Sequence, residues 1–397
     1  MLAVNENLAD GPSSATVSHL PFQTFDEARF SALLGDIRAR TGEFRAQRHI
    51  SQDIIEELKA LGLYRSFVPE QFGGRNVTPM RFLELIERIA EADGSAGWVA
   101  SFAFGSKYLA SLPAETVAKI YGDNPDAVFC GGVFPPQKAK RVDGGILVNG
   151  RWPFGSGCMG SDYTGVGILV EGADGGGLPL MAVMPSEKVR IEETWDTVGM
   201  SGTGSHDLVV EDVVVPEDWT FVRGAGASID TDQFRFPTLP MAAQVLAICG
   251  FGAARAALNH VYEVAGGRKS ITGAPTLGDR VNVQLHLGEA EGKMRAARSW
   301  FYAETEKVWD LTVAREDISR EQTAALRLAA SHLARTGAEV ARACYEMTGT
   351  MGIFKDNPLS TYMADAMVTA QHAFLTEGTF INAGKVFLGH DPIPGYA

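Results

Sequence analysis

Apolar positions recur along this chain with two different periods, and the change from one to the other divides it into three stretches. From Thr24 onward Phe25, Phe30, Leu33, Leu34 and Ile37 are spaced by threes, fours and fives, the pattern of a helix with one buried face. Further helices are expected over Ile50–Leu61, with Ser51 as N-cap and Gly62 as stop, and over Pro79–Ala92, Ser95–Leu109 and Ala114–Tyr121. The segment Ser95–Leu109 is apolar nearly all round, which predicts a central helix. Residues 1–23 carry neither period and read as a loose arm.

Between Ala127 and Val222 the runs become short, rich in β-formers and broken by glycine and proline. Strands are predicted at Tyr163–Val170, Leu178–Met184, Val189–Glu193 and Leu208–Val215, a spacing that suits a small barrel or sandwich. Asn149-Gly150 after Ile146-Leu147-Val148 predicts a hairpin turn, because both residues accept positive φ. On the returning strand, alternation would place Trp152, Phe154 and Ser156 on one face. A flat apolar surface beside a hydroxyl suits a planar, heteroatom-rich ring. Helical spacing returns at Pro240 in four long segments, Met241–Ala265, Leu277–Trp309, Arg320–Thr348 and Pro358–Thr376, whose Ala and Leu content predicts a bundle. The expected fold class is thus α+β multidomain, with helices over 24–125, β-structure over 126–235 and a helical bundle over 236–397.

Composition adds exclusions. The chain has 397 residues, 45% of them hydrophobic, and a net charge of −13 without a basic stripe, which argues against a nucleic-acid partner. Cys130, Cys158, Cys249 and Cys344 lie far apart, so reduced thiols of a cytoplasmic protein are expected instead of a zinc site or disulfide frame. No signal-peptide pattern opens the chain, and no apolar run of the ~18–20 residues that span a bilayer is expected.

Several motifs stand in order: Val68-Pro-Glu-Gln-Phe-Gly-Gly74, Ala92-Asp-Gly-Ser-Ala-Gly-Trp98, the segment from Asn149 to Tyr163, Trp195-Asp-Thr-Val-Gly-Met-Ser-Gly-Thr-Gly-Ser205, and Val213-Val-Val-Pro-Glu217. Together they resemble the acyl-CoA dehydrogenase superfamily from about Ile37 onward. The resemblance implies an N-terminal helical domain, a central small β-barrel, a C-terminal four-helix bundle and a homotetramer. The segment Asn357–His372, with Asp365 and His372 seven residues apart, is similar to the two-component flavin monooxygenase branch. That branch includes dibenzothiophene monooxygenase, steroid-ring phenol hydroxylases and indole-oxidising oxygenases. It implies an oxygenase component that takes reduced FMN or FAD from a separate reductase, forms a C4a-hydroperoxide with O2, and hydroxylates a phenol, indole or related small aromatic.

By the same resemblance Ser156 lies beside flavin N5 and Phe154 packs on the isoalloxazine, while Trp152 is structural. Trp195, Gly202, Thr203 and Ser205 form a flavin-contacting loop. His372, sharing a helix face with Asp365 and Thr369, is the expected base, since an imidazole with a pKa near 6.5 suits removal of a ring proton. Trp98, Phe102, Met351, Met367 and His372 are expected to line the substrate pocket, and His206 has no assigned role. Where the branch carries arginines beside Tyr362-Met363 this chain has Thr361 and Ala364, so Arg268 or Lys269 is expected to serve the flavin phosphate. Ser106 stands where relatives often carry a histidine.

Two alternatives stay open. Glu377-Gly378-Thr379 reads like the motif of true acyl-CoA dehydrogenases, whose glutamate removes an α-proton. Yet Glu377 lies twelve residues from Asp365 instead of eight, one helical turn away, and Gly378 reads as a helix end. A superfamily member without chemistry, serving in binding or assembly, is the third possibility.

Overall fold

The computed structural model describes residues 25–172, 178–267, 273, 275–393 and 396. The arm at 1–23, Arg268 and Lys269 lie outside the described residues. The first stretch folds as α1 (Glu27–Gln47), α2 (Gln52–Ala60), α3 (Pro79–Ala92), α4 (Gly94–Ser101), α5 (Ser106–Leu109) and α6 (Ala114–Tyr121). The segment expected as one helix from Ser95 to Leu109 is divided by a 3₁₀ turn over Phe102–Gly105. That turn packs closely on the first β-strand: a Cβ on Gly105 would lie 3.2 Å from Phe129. Asp93 ends α3 and caps α4, accepting from Ala96 N–H at 2.8 Å, so the chain turns between two buried helices without an unpaired amide.

The strands are β1 (Phe129–Val142), β2 (Gly145–Gly155), β3 (Tyr163–Val170), β4 (Leu180–Pro185), β5 (Arg190–Glu192), β6 (His206–Val215) and β7 (Thr220–Val222). They form one seven-stranded sheet in the order β5-β6-β2-β1-β3-β4-β7, not a closed barrel: the described pairings leave β5 and β7 as edges. The two halves share an apolar core around Trp152, which is fully buried and donates its indole N–H to Gly167 O at 2.8 Å. Trp152 is structural.

Asn149-Gly150 is not the hairpin turn. β2 runs through it, and the reversal from β1 lies at Gly144-Gly145. The pairing of β2 with β6 shifts register between Val148 and Gly150, and Asn149 Oδ1 accepts from Asp212 N–H at 2.7 Å. The extra residue of this bulge lies on β6, where Asp212 takes φ 51° opposite Asn149. Another shift falls between Trp152 and Gly155, where Phe154 sits at φ 63°. Strict alternation fails there, so Trp152 is buried while Phe154 is 66% exposed.

The last stretch holds a short α7 (Asp232–Arg235), then α8 (Thr238–Ala265), α9 (Val281–Val313), α10 (Arg320–Thr348), α11 (Leu359–Ala370) and α12 (Glu377–Phe387). Its core is continuous with that of the first helices, running from Phe30 through Ile89 and Phe251 to Leu375. α8 is the axis, packed against α3, α4, α10 and α11. It is long and apolar enough to match a membrane span, contrary to the sequence expectation, but 94% of its most apolar window is buried in the protein. Glu377 begins α12 instead of ending a helix.

Candidate active site

One cavity of about 650 Å³ opens where the 3₁₀ turn after α4, the sheet and the bundle meet. The glycine-rich loop 195–205 forms one wall. It is anchored from behind: the Asp365 carboxylate of α11 accepts from Met200 N–H at 2.5 Å, and Ser95 Oγ accepts from Gly202 N–H at 3.1 Å. Gly199 has no room for a side chain, since a Cβ would lie 2.4 Å from the Ala364 carbonyl. Burial raises the Asp365 carboxyl to about 7, and the buried Asp93 carboxyl adds to the rise. Asp365 is thus a tie between loop and helix. His206 holds the start of the loop, accepting from Trp195 N–H on Nδ1 at 3.1 Å; its burial disfavours the charged ring.

Thr203 Oγ1 donates to Met200 O at 2.8 Å, a partner that can only accept. Thr203 and Ser205 hydroxyls lie 2.7 Å apart, and those of Ser205 and Ser156 lie 2.6 Å apart. Each hydroxyl has one proton, so the order is forced: Ser156 donates to Ser205, Ser205 to Thr203, and Thr203 to the carbonyl. Ser156 Oγ then presents only lone pairs to the cavity. Beside it the exposed Phe154 ring meets Trp195 edge-on, with centroids 6.1 Å apart.

His372 lies on the opposite wall, just beyond the end of α11, in a turn where Phe374 N–H donates to its Nδ1 at 3.2 Å. Its ring meets Trp98 and Phe374 edge-on at 5.8 and 5.3 Å. Burial, and secondarily the Arg223 guanidinium, lowers its pKa to about 4. The ring is neutral above that pH, with the lone pair on Nδ1 and the proton on Nε2.

Of the residues expected at the site, Trp98, Phe102, Phe154, Ser156, Trp195, Thr203, Ser205 and His372 line this cavity. Gly202 does not; it is packed behind the loop against Phe44 and Ser95. Met351 and Met367, expected in the substrate pocket, do not line the cavity: they are 44% and 43% exposed on outer faces of the bundle. Asp365 and Thr369 are buried, but α11 stops at Ala370 and the turn swings His372 off their face. Glu377 is also outside the cavity, its side chain 84% exposed and 3.9 Å from Arg335, so no α-proton base stands there. Thr361, in place of a family arginine, accepts from Arg45 of α1 at 2.5 Å. Ser106 is buried outside the lining. Arg223, Tyr108, Gln371 and Phe374 also line the cavity. None carries a spacing signal in the sequence.

The acyl-CoA dehydrogenase N-terminal domain matches residues 33–116, and the acyl-CoA dehydrogenase C-terminal domain matches residues 244–377. Indole-3-acetate monooxygenase of Pseudomonas putida is 52% identical over 369 residues, covering 92% of this chain and 95% of its own. The FADH2-dependent resorcinol hydroxylase oxygenase component of a Rhizobium species is 28% identical, covering 89% and 92%. The crystal structure of 3-HSA hydroxylase from Rhodococcus sp. RHA1 superposes with a TM-score of 0.86 at 25% identity, covering 94% of this chain and 99% of that one. The chain belongs to the acyl-CoA dehydrogenase family. Within that family it is the oxygenase component of a two-component flavin-dependent monooxygenase.

Proposed function

We propose that this enzyme hydroxylates an indole-type aromatic ring, with Phe154 and Ser156 holding the reduced flavin and His372 facing the substrate. The observation that carries the reading is a single apolar cavity with an acceptor-only hydroxyl and an exposed aromatic ring on one side and a neutral imidazole on the other. The activity of the Pseudomonas putida relative supports indole-3-acetate, or a close analogue, as the substrate. A separate reductase supplies the flavin, and the cytoplasm, where four buried unpaired cysteines stay reduced, is the expected location.

The residues present fit a flavin. The cavity lies within the size range of cofactor and ligand pockets, its wall is mostly apolar and rich in aromatic rings, and Phe154 is held out of the β-core by its positive φ. Bound in reduced form, the flavin supplies dioxygen activation and oxygen transfer. The chain supplies polarity, orientation and dryness. Ser156, its one proton committed to Ser205, would hold the ring as an acceptor and so favour the reduced flavin, which carries an N–H at N5 where the oxidised ring has a lone pair. Trp98, Phe102 and Phe374 exclude water from the reacting region.

His372 takes a role different from the expected base. Burial opposes the imidazolium that a base becomes, and Phe374 N–H already occupies Nδ1. Its Nε2–H is the group left to act, as a hydrogen-bond donor to an oxygen in the cavity. Mixing the protein with photoreduced FMN or FAD, oxygen and a panel of indoles and phenols should give hydroxylated indole. His372→Gln, which keeps a side-chain N–H, should retain about tenfold more turnover than His372→Ala. Equal loss in both variants, with an acid limb near pH 6.5 in the wild type, would restore the base. Failure to oxygenate any ring with reduced flavin bound would overturn the function.

A further inference from the structure

We infer that Arg223 selects the substrate by its acid group: the guanidinium lines the cavity one ring away from His372 and takes up the carboxylate of an arylacetic acid. The inference rests on the hydroxylation reading above and adds to it the residue that reads the substrate's charge.

The cavity wall is apolar apart from a few hydroxyls, an amide and the neutral His372, and among the described residues Arg223 is the one lining residue with a permanent charge. It sits immediately after β7, with its backbone N–H on Pro179 O at 3.2 Å and Gly224 at φ 82° turning the chain away. Its side chain donates to the Tyr108 hydroxyl at 3.4 Å, a long contact, and lies over the rings of Tyr108 and Phe374 at 5.6 and 5.2 Å. No carboxylate among the described residues pairs with it. Two other part-buried arginines do have such partners: Arg65 holds Asp126 at 2.8 Å, and Arg255 holds Glu291 at 2.8 Å. In a chain with 48 acidic and 35 basic side chains, an arginine facing an apolar cavity without an anion is the exception.

A guanidinium has five N–H donors in a planar fork that fits a carboxylate in bidentate fashion. One donor is spent weakly on Tyr108, and the aromatic rings that flank the cation leave the rest of the fork available. Phe374 separates Arg223 from His372, with 5.2 Å to the cation and 5.3 Å to the imidazole. A bicyclic ring held near His372 can therefore direct a short acid arm to Arg223. The reach of the Arg223 charge to His372 is consistent with that proximity.

The test compares indole-3-acetate with the neutral indole-3-acetamide and with indole, by calorimetric binding and by kcat/KM with reduced flavin. The wild type should favour the acid over the amide by about 10- to 100-fold, as a charge-assisted hydrogen-bonded pair provides. Arg223→Gln should remove most of that preference while weakening the amide far less, and Arg223→Lys should restore part of it. Amide binding also reports that the variant cavity is intact. Retention of the acid preference in Arg223→Gln, or its absence in the wild type, would overturn the assignment. Selective, Arg223-dependent binding of the acid without product from any indole would instead overturn the hydroxylation reading and leave the carboxylate site standing.

Discussion

Three hydroxyls in a row, Ser156, Ser205 and Thr203, end on the Met200 carbonyl, and that terminus decides the direction of every proton among them. A serine alone is ambivalent, able to donate or accept. Here it is fixed as an acceptor by a carbonyl three hydrogen bonds away, which makes the redox state of the bound ring a question of hydrogen-bond polarity. Ser205→Ala removes the acceptor for the Ser156 proton and frees that hydroxyl to donate. Oxidised flavin, which offers a lone pair at N5, should then gain relative affinity. Anaerobic titrations of reduced and oxidised flavin should show the ratio of their Kd values narrowing by about tenfold, the effect of one hydrogen bond. An unchanged ratio would show that Ser156 does not sense the ring. The same scale explains why Arg223 escapes sequence reading. Its meaning comes from the absence of a carboxylate around it, and absence has no spacing.

At the scale of elements, the loop 195–205 and α11 act as one piece through Asp365. The folded pKa of Asp365, about 7, lies above its ordinary value near 4, so the folded state favours the neutral acid. The associated stability is complete below about pH 4 and is lost as pH rises through 7. Asp365→Asn keeps an oxygen for Met200 N–H and has no charge to bury. Urea unfolding should find the variant close to the wild type at pH 4 and more stable by on the order of 4 kcal/mol at pH 8.5. A variant less stable by the same amount at both pH values would contradict this. Much of the element order was legible. Pro79–Ala92, Ala114–Tyr121, Tyr163–Val170 and Arg320–Thr348 begin and end where periodicity and caps place them. The failures have local causes. Asn149-Gly150 has the chemistry of a turn, but β6 continues beside it and absorbs the extra residue as a bulge. Phe154, with φ above zero, breaks the alternation from which one shared face was inferred. Met351 and Met367 precede His372 in sequence, but Met351 sits in the exposed turn after α10 and Met367 on the outer face of α11.

For the whole molecule, the helices before residue 125 and those after 236 share one core, with the sheet held between them and the cavity where all three meet. Glu87 of α3 binds both Arg298 and Tyr302 of α9, a polar clasp across the same seam. The Ala-rich α10 is largely buried inside the protomer. Exposed apolar side chains gather instead on and after α12, at Ile381, Phe387, Leu388 and Ile393. We propose that this face is covered in a homotetramer. Light scattering should return about four times the 42.6 kDa chain mass, and Leu388→Glu should lower it. A monomer in the wild type would refute the assembly.

The burial of α8 has a consequence during synthesis. The partners α10 and α11 that cover it lie downstream, and the ribosome needs on the order of 5–20 s to make the roughly one hundred residues from Ala265 to Ala370. For that interval a helix with the apolarity of a membrane span is covered on one side only, by α3 and α4. The nascent chain is therefore a client for chaperones that shield apolar segments, and slow translation after Ala265 prolongs its exposure.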